Sequence, residues 1–414
     1  MSGKELAIML DFNRIIIFTI APINEDYVKR YGVDFFKKKG IEVVFLNLCL
    51  LIYGREKAKQ CGWDSLGACK RVTEIGVEDY KELAQRLYSL KNGSIVYLNI
   101  TMPAKLLFLI WKIGIPYIEG SLWGGIQAKN FTMGSKSFLG KFRTKLLKLY
   151  KSPLKILKGK LDSSLYKFIK LMHPPFLFLT NNHVELMRRK SRNILLNHTF
   201  DYDRFLLNFR VPKPEYIPNE KYLLLLPNHA WMVGDNIIND WQDDCSITKE
   251  QYKKLINATL NKIESATKMK ILVAGYPNAT TEEDIYEDRK FLLGTDTEQL
   301  VKYSSGVITH FTGAINFAVL HSKPICIINY RNFDNDPNFT NFIKSYSAFL
   351  NLPINYVDSE SEIQMLISKG LFTQNFNCYA EYEHQFIIPN EIAHRGEKCF
   401  WTRVLDNINE SKKL

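Results

Sequence analysis

Residues Ser304–Ile328 read SSGVITHFTGAINFAVLHSKPICII, and the fold of the chain is decided there. A short β-rich run (Gly306–Thr309) leads into a loop of small and polar residues (His310–Gly313). An apolar helix (Ala314–His321) and a second β run (Pro324–Ile328) follow. Strand, tight loop, helix and strand at this spacing make a βαβ unit. A helix that opens directly after a buried strand turns unpaired N–H groups and the positive end of its dipole toward the loop, which suits a phosphate. The same turn also occurs in doubly wound folds with nothing bound, so this segment alone leaves a phosphate site and a plain structural turn both open.

At 414 residues the chain exceeds one ordinary core and fits two domains of about 200 residues each. A hydrophobic content of 46% with 24% charged residues is that of a globular protein rather than a disordered one. The net charge of +12 points to an anionic partner: nucleic acid, a sugar nucleotide or a membrane surface. Seven scattered cysteines without a CxxC pair argue against a disulfide framework and against structural zinc. The start, MSGKELAIMLDFNR, has no basic segment followed by an apolar one, which argues against secretion. Apolar runs fall short of a membrane span of about 18–20 residues; Leu106–Ile118 is broken by Lys112. The expectation is a cytoplasmic protein.

Arg14–Ala21 (RIIIFTIA) is a continuous β-branched run, as in a strand buried on both faces of a parallel sheet. Helices are expected over Asn24–Lys39, Glu78–Leu90 and Pro103–Ile113. Strands are expected over Ile41–Leu48, Ser94–Ile100, Ile115–Ile118, Pro174–Leu179 and Ile194–Leu196. This alternation predicts an α/β, doubly wound first domain, residues 1–211. The proline-rich run 212–220 reads as a linker. A second Rossmann-like domain, residues 221–398, opens with the strand Tyr222–Leu226 and continues with the helix Thr248–Lys268 and the strand Lys270–Ala274. After the helix Asp296–Tyr303 comes the opening βαβ unit, then helices over Phe339–Leu350 and Glu360–Ser368. A closing helix lies within 399–414. Three loops, 227–235, 275–281 and 310–313, then converge on one edge of the second sheet, where a cleft between two α/β domains holds sugar nucleotides.

Several residues carry candidate chemistry. Glu119 stands alone among carboxylates between Glu82 and Asp162, at a strand end before the glycine-rich loop 119–135. It reads either as a helix cap or surface group, or as a general base for an acceptor hydroxyl. Lys136–Lys170 holds eleven basic residues, among them Lys141, Arg143, Lys145, Lys148, Lys155 and Lys158, against the one acid Asp162. Leucines and phenylalanines recur there at helical spacing, and Ser152–Pro153 divides the run into two amphipathic helices. A solvated basic face over the core and docking onto anionic lipid both fit. Nucleic acid fits less well, since no interleaved aromatics and no binding signature accompany the charge. Asp201 and Asp203 are weak evidence for a cation without a third ligand, and the DND of Asp334–Asp336 reads as a turn.

The run Leu223–Ile328 resembles the C-terminal half of bacterial surface-carbohydrate biosynthesis proteins with the GT-B glycosyltransferase architecture. The matching phrases are Leu226–Asp240, Gly275–Asn278, Gly294–His310 and Thr312–Ile328. The resemblance implies two Rossmann-like domains facing a cleft. It also implies a nucleotide-sugar donor, a CMP-sugar in the first place, and a surface-polysaccharide or lipid-linked acceptor. Related CMP-sugar transferases pair a His-Pro loop and a Ser/Thr loop on the nucleotide; here these positions are Tyr276–Pro277 and Phe311–Thr312–Gly313. A phenol of pKa about 10 still donates a hydrogen bond but does not act as a cation. Carried over, Tyr276, Pro277, Asn278, His310, Thr312, Gly313, Asn316 and Asp235 form the donor site, with Glu119 and His229 as the candidates for catalysis. No metal or other cofactor is implied, and nucleic acid is not expected as a partner. A sugar-nucleotide epimerase of the same architecture and a non-catalytic partner in polysaccharide assembly are the alternatives.

Overall fold

The computed structural model describes residues 12–67, 69–98, 103–120, 153–181, 193–227, 247–275, 285–292, 296–335, 337–372, 376–393 and 398–411. In chain order the first domain contains β1 (Arg14–Thr19), α1 (Glu25–Arg30), α2 (Val33–Lys38), β2 (Glu42–Asn47), α3 (Cys49–Tyr53), α4 (Arg55–Gln60) and β3 (Thr73–Gly76). It continues with α5 (Tyr80–Leu90), β4 (Ser94–Leu98), α6 (Ala104–Ile113), β5 (Tyr117–Glu119), α7 (Pro153–Met172), β6 (Leu177–Thr180), β7 (Ile194–Leu196) and α8 (Phe200–Asn208). The strands form a parallel sheet in the order β3-β2-β1-β4-β5-β6-β7. Successive residues of β1 alternate between two cores. Ile15 and Ile17 pack with Val43, Phe45, Ile95 and Tyr97 on one face; Ile16 and Phe18 pack with Val44, Leu46, Val96 and Leu98 on the other. Burial on both faces is why this strand reads as an unbroken apolar run.

The second domain contains β8 (Tyr222–Leu226), α9 (Lys249–Thr267), β9 (Lys270–Ala274), β10 (Phe291–Leu292), α10 (Thr297–Tyr303), β11 (Gly306–Thr309), α11 (Ile315–Leu320) and β12 (Ile325–Asn329). A 3-10 turn (Arg331–Asn335), α12 (Pro337–Leu350), β13 (Ile354–Tyr356), α13 (Glu360–Ser368), α14 (Phe376–Phe386) and α15 (Asn390–Ala393) follow, and α16 (Phe400–Ser411) ends the described chain. Its sheet is again parallel, in the order β10-β9-β8-β11-β12-β13. α9 opens with a capping box, Thr248 and Gln251 exchanging side-chain bonds with each other's backbone N–H groups.

Two features differ from the sequence reading. The helix expected over Asn24–Lys39 is split at Gly32, which adopts φ +61°. A Cβ on Gly32 would stand 2.4 Å from Cδ1 of Trp401, so the break falls where a side chain does not fit. The closing helix α16 returns to the first domain, where Phe400, Trp401, Val404 and Ile408 join the core of β1, β2 and β4.

Candidate functional site

In the second sheet the chain leaves β8 toward β9 on one side, while β11 pairs with β8 on the other, Thr309 opposite Leu226. Neighbouring loops therefore diverge at the carboxyl ends of β8 and β11, which is the crevice where open α/β sheets bind ligands. The described ends of the three predicted loops, Pro227, Gly275 and His310, follow three adjacent parallel strands.

The turn after β11 sorts its residues by depth. Thr309 Oγ1 donates to the Leu226 carbonyl at 2.9 Å and ties the two strands. His310 is fully buried rather than lining the crevice. Its Nδ1 lies 2.8 Å from the Ile328 carbonyl and its Nε2 lies 3.2 Å from the Tyr252 hydroxyl. A carbonyl only accepts, so Nδ1 carries the proton and Nε2 accepts from Tyr252. Burial among Tyr330, Phe333 and Phe339 drives the imidazole down to about 4, against the pull of the Ile328 bond. His310 is thus a neutral core residue. Phe311 is turned inward as well, stacked on Phe342 and edge-on to Phe339. Thr312 is only partly buried, and Gly313 is exposed.

α11 is shorter than the sequence suggests, six residues, and its opening is tight. The N–H groups of Ile315, Asn316 and Phe317 donate to Thr312, Gly313 and Ala314 carbonyls, and the Ala314 N–H donates to Thr312 Oγ1. A phosphate here would therefore rest on the Thr312–Gly313 turn, with a smaller dipole contribution than a long helix gives. Asn316 points away from the crevice: it donates to Asp201 at 2.7 Å and accepts from Tyr382 at 2.9 Å, fully buried.

That bond leads to a feature the sequence reading misses. α8 is a polar hub between the domains. Arg204 donates to Asp26 of α1 and, at 2.8 Å, to Asp296 at the start of α10. Asn208 reaches Asp296 and Glu298, each at 2.8 Å, and Glu298 in turn contacts His321. Burial works to raise the Asp26 carboxyl, but Arg30 and Arg204 hold it below its ordinary value. Burial wins at Asp201, which is pushed above the ordinary carboxylate range despite Arg30 and Asn316. The two acids singled out as a weak cation pair have separate tasks: Asp203 accepts from the Phe400 N–H at 2.7 Å, while Asp201 holds Asn316. The capping Thr199 before FDYDRFLLN is the local mark of the helix; the partners of α8, 88 to 197 positions away, leave no local signal.

Glu119 ends β5 facing α7, where Lys170 Nζ lies 2.5 and 2.7 Å from its two oxygens and the Tyr166 hydroxyl donates at 3.3 Å. Asp334 accepts from Asn329 and from the Tyr356 hydroxyl within the 3-10 turn after β12, as a turn residue would. His229, Asp235, Tyr276, Pro277, Asn278, Lys141, Arg143, Lys145 and Lys148 lie outside the described residues; Lys155 and Lys158 fall within α7. Among the described residues no group of three or more His, Cys, Asp or Glu side chains is placed to hold a metal ion, and no helix is long and apolar enough to cross a membrane.

No family model matches the chain, and no curated protein matches it significantly in sequence. Among solved structures it is similar to the wall teichoic acid polymerase TagF, with a TM-score of 0.55 and 14% identity over 99% of this chain and 93% of that one. A UDP-GlcNAc 2-epimerase from Methanocaldococcus jannaschii aligns with a TM-score of 0.46 and 13% identity over 89% of this chain and 97% of that one. The calicheamicin glycosyltransferase CalG4 aligns with a TM-score of 0.51 and 8% identity over 97% of this chain and 98% of that one. Two doubly wound parallel sheets, shared over nearly the whole length with TagF and CalG4, give the chain the GT-B glycosyltransferase fold.

Proposed function

We propose that the chain is a glycosyltransferase that moves a sugar from a nucleotide donor, a CMP-sugar in the first place, to a hydroxyl of a surface-polysaccharide or lipid-linked acceptor. The observation that carries this reading is the position of Thr312 and Gly313, the accessible residues of the turn at the strand-order reversal of the second sheet. TagF, similar in fold across nearly the full length, is a wall teichoic acid polymerase, which supports a surface-polymer product. In the proposal Thr312 and Gly313 meet the donor's phosphates, and His229, Asp235, Tyr276, Pro277 and Asn278 of the two adjoining loops complete the donor site. With the N–H groups of Ala314 to Phe317 bonded within the turn, the charge that grows on the leaving phosphate would be met by Thr312 and by the residues of the two adjoining loops, and the reading invokes no metal. His310 and Asn316 support the turn from below and tie it to α8. An acceptor carried on lipid would be met at an anionic membrane surface. A second reading, a non-catalytic partner in polysaccharide assembly, is favoured by Phe311, whose ring is taken up by Phe339 and Phe342 where the family carries a hydroxyl.

Thermal-shift titration with CMP, CDP, UDP and GDP species separates the two readings. Stabilisation by at least one nucleotide, followed by its release from the sugar donor on incubation, is expected of the transferase. Stabilisation by none of them would overturn the donor site.

A further inference from the structure

The chain enters α8 through Leu196–Thr199, and the segment that leads into α16 is gripped there. Arg403 donates to the Leu196 carbonyl at 3.3 Å and to Asn197 Oδ1 at 3.1 Å, and Asn197 Nδ2 donates to the Phe400 carbonyl at 3.3 Å. The Phe400 N–H donates to Asp203 at 2.7 Å. These bonds join residues 197 to 207 positions apart, next to the place where Phe400, Trp401, Val404 and Ile408 enter the core of the first domain. The same helix α8 carries Asp201, which holds Asn316, and Arg204, which spans the domains.

One residue of this grip has an unusual set of partners. His198 is 2% exposed, and both of its ring nitrogens face carbonyl oxygens. Nδ1 lies 2.9 Å from the Thr199 carbonyl and Nε2 lies 3.1 Å from the Lys398 carbonyl. A carbonyl only accepts. A neutral imidazole has one N–H, so in either tautomer its bare nitrogen would stand lone pair against lone pair, unpaired in the interior. The imidazolium donates to both. A counter-charge is at hand in Asp203, 3.8 Å from Nε2. His310 gives the contrast: its nitrogens face one carbonyl and one hydroxyl, a set that the neutral ring satisfies.

We propose that His198 is a buried imidazolium and acts as a pH-sensitive latch. It holds the segment leading into α16 against the start of α8 and releases it when the ring loses its second proton. Among the described residues, α8 presents Asp203 and the Tyr202 ring, the latter edge-on at 5.1 Å between centroids. Burial raises the Asp203 carboxyl, with His198 as the main pull against it. The α16 side presents Cys399 beside Asp203, its thiol pushed up by burial, and Lys398, whose ammonium is paired with Asp406. Arg403, a permanent cation, is turned to Leu196 and Asn197. The end of α14 presents the Ile387 carbonyl, bonded by the Thr199 N–H. A cation that the fold holds charged stabilises below the pH at which it deprotonates. The latch therefore loosens as pH rises, the opposite sense to the buried neutral His310. This inference goes beyond the transfer reaction and is tested on the full chain without any donor.

Proton–nitrogen NMR of the chain isotopically labelled at its histidine rings reads the protons directly. At about pH 7.5 an ordinary imidazole is only about one-tenth charged, whereas both nitrogens of His198 are expected to carry protons. The signal is assigned by its loss in His198→Gln or, if that variant does not fold, by its displacement in Asp203→Asn. One bare nitrogen at that pH overturns the proposal. Hydrogen exchange, corrected for the intrinsic effect of pH, follows the amides of residues 400–411. In the wild type their protection falls by about tenfold or more between about pH 7 and 9.5, and in His198→Gln it is low throughout. Protection that stays level in the wild type, or that falls equally in His198→Gln, overturns the latch.

Discussion

Replacing Arg204 with leucine tests whether α8 couples the two domains. The substitution keeps an apolar stem in the same space and deletes two ion pairs at once, with Asp26 of the first domain and Asp296 of the second. Removing one partner of a buried pair costs about 3–5 kcal/mol when the other is left unpaired. Here neither carboxylate is abandoned: Asp26 keeps Arg30 at 3.2 Å, and Asp296 keeps Asn208 at 2.8 Å and the Glu298 N–H at 3.2 Å. The expected cost is therefore smaller, about 2–4 kcal/mol. For units of this size one kcal/mol moves the melting temperature by about 2–4 °C, so a loss near 3 kcal/mol lowers it by roughly 6–12 °C. Differential scanning calorimetry reads a second consequence. The wild type unfolds in one transition, and Arg204→Leu separates it into two as the domains lose their common link. Arg204→Lys recovers only part of the loss, because a single ammonium does not span both carboxylates as the guanidinium fork does. A shift below about 2 °C with the single transition preserved would refute the coupling role of α8.

The buried His310 makes stability depend on pH. Its folded value, about 4, lies below the ordinary 6.5, so the unfolded chain takes up the proton first. The contribution is complete above pH 6.5 and is lost as pH falls from there toward 4, about 3 kcal/mol over the window. Guanidinium unfolding of His310→Leu should lack that part of the slope; an unchanged slope would show that other groups carry it. Gly32→Ala forces a side chain into a left-handed conformation at φ +61° and against Trp401, for about 2–4 kcal/mol. A lowered unfolding midpoint with red-shifted tryptophan emission is expected, and unchanged emission would contradict the docking of α16 on α2. Glu119→Gln leaves Lys170 without its counter-charge and should cost about 1–3 kcal/mol, with a matching loss in Lys170→Met and little further loss in the double variant. A fully stable Glu119→Gln protein whose donor turnover falls by about a hundredfold or more would instead return Glu119 to the role of general base.

Much of the architecture is legible locally. Tyr222–Leu226, Ile271–Ala274 and Gly306–Ile308 are apolar runs because both faces of each strand are covered, and each strand is found where its sequence places it. Edge strands are harder to read. Thr73–Gly76 and Ile354–Tyr356 are only partly buried, so they lack the apolar signal, and Phe291–Leu292 is too short to give one. The need for glycine at position 32 is set by Trp401, and the tasks of Asp201, Asp203 and Arg204 depend on partners in other elements. No window of sequence contains those pairs. The turn at Thr312–Gly313 is visible as a strand-to-helix junction, whereas the inward turn of His310 and Phe311 follows from the aromatic cluster beneath. α7 is visible as amphipathic and basic, but periodicity does not say which of its sides meets the core.

Nucleotide binding at the turn after β11 is the deciding measurement. Isothermal titration calorimetry with CMP, CDP, UDP and GDP, on the wild type and on Gly313→Asp, measures it directly. Gly313 is exposed, so the added carboxylate leaves the fold intact while repelling a bound phosphate. The wild type is expected to bind at least one of these nucleotides, and Gly313→Asp to weaken that binding by about tenfold or more at an unchanged melting temperature. Binding that is indifferent to the new charge, or no binding of any of the four, would contradict it.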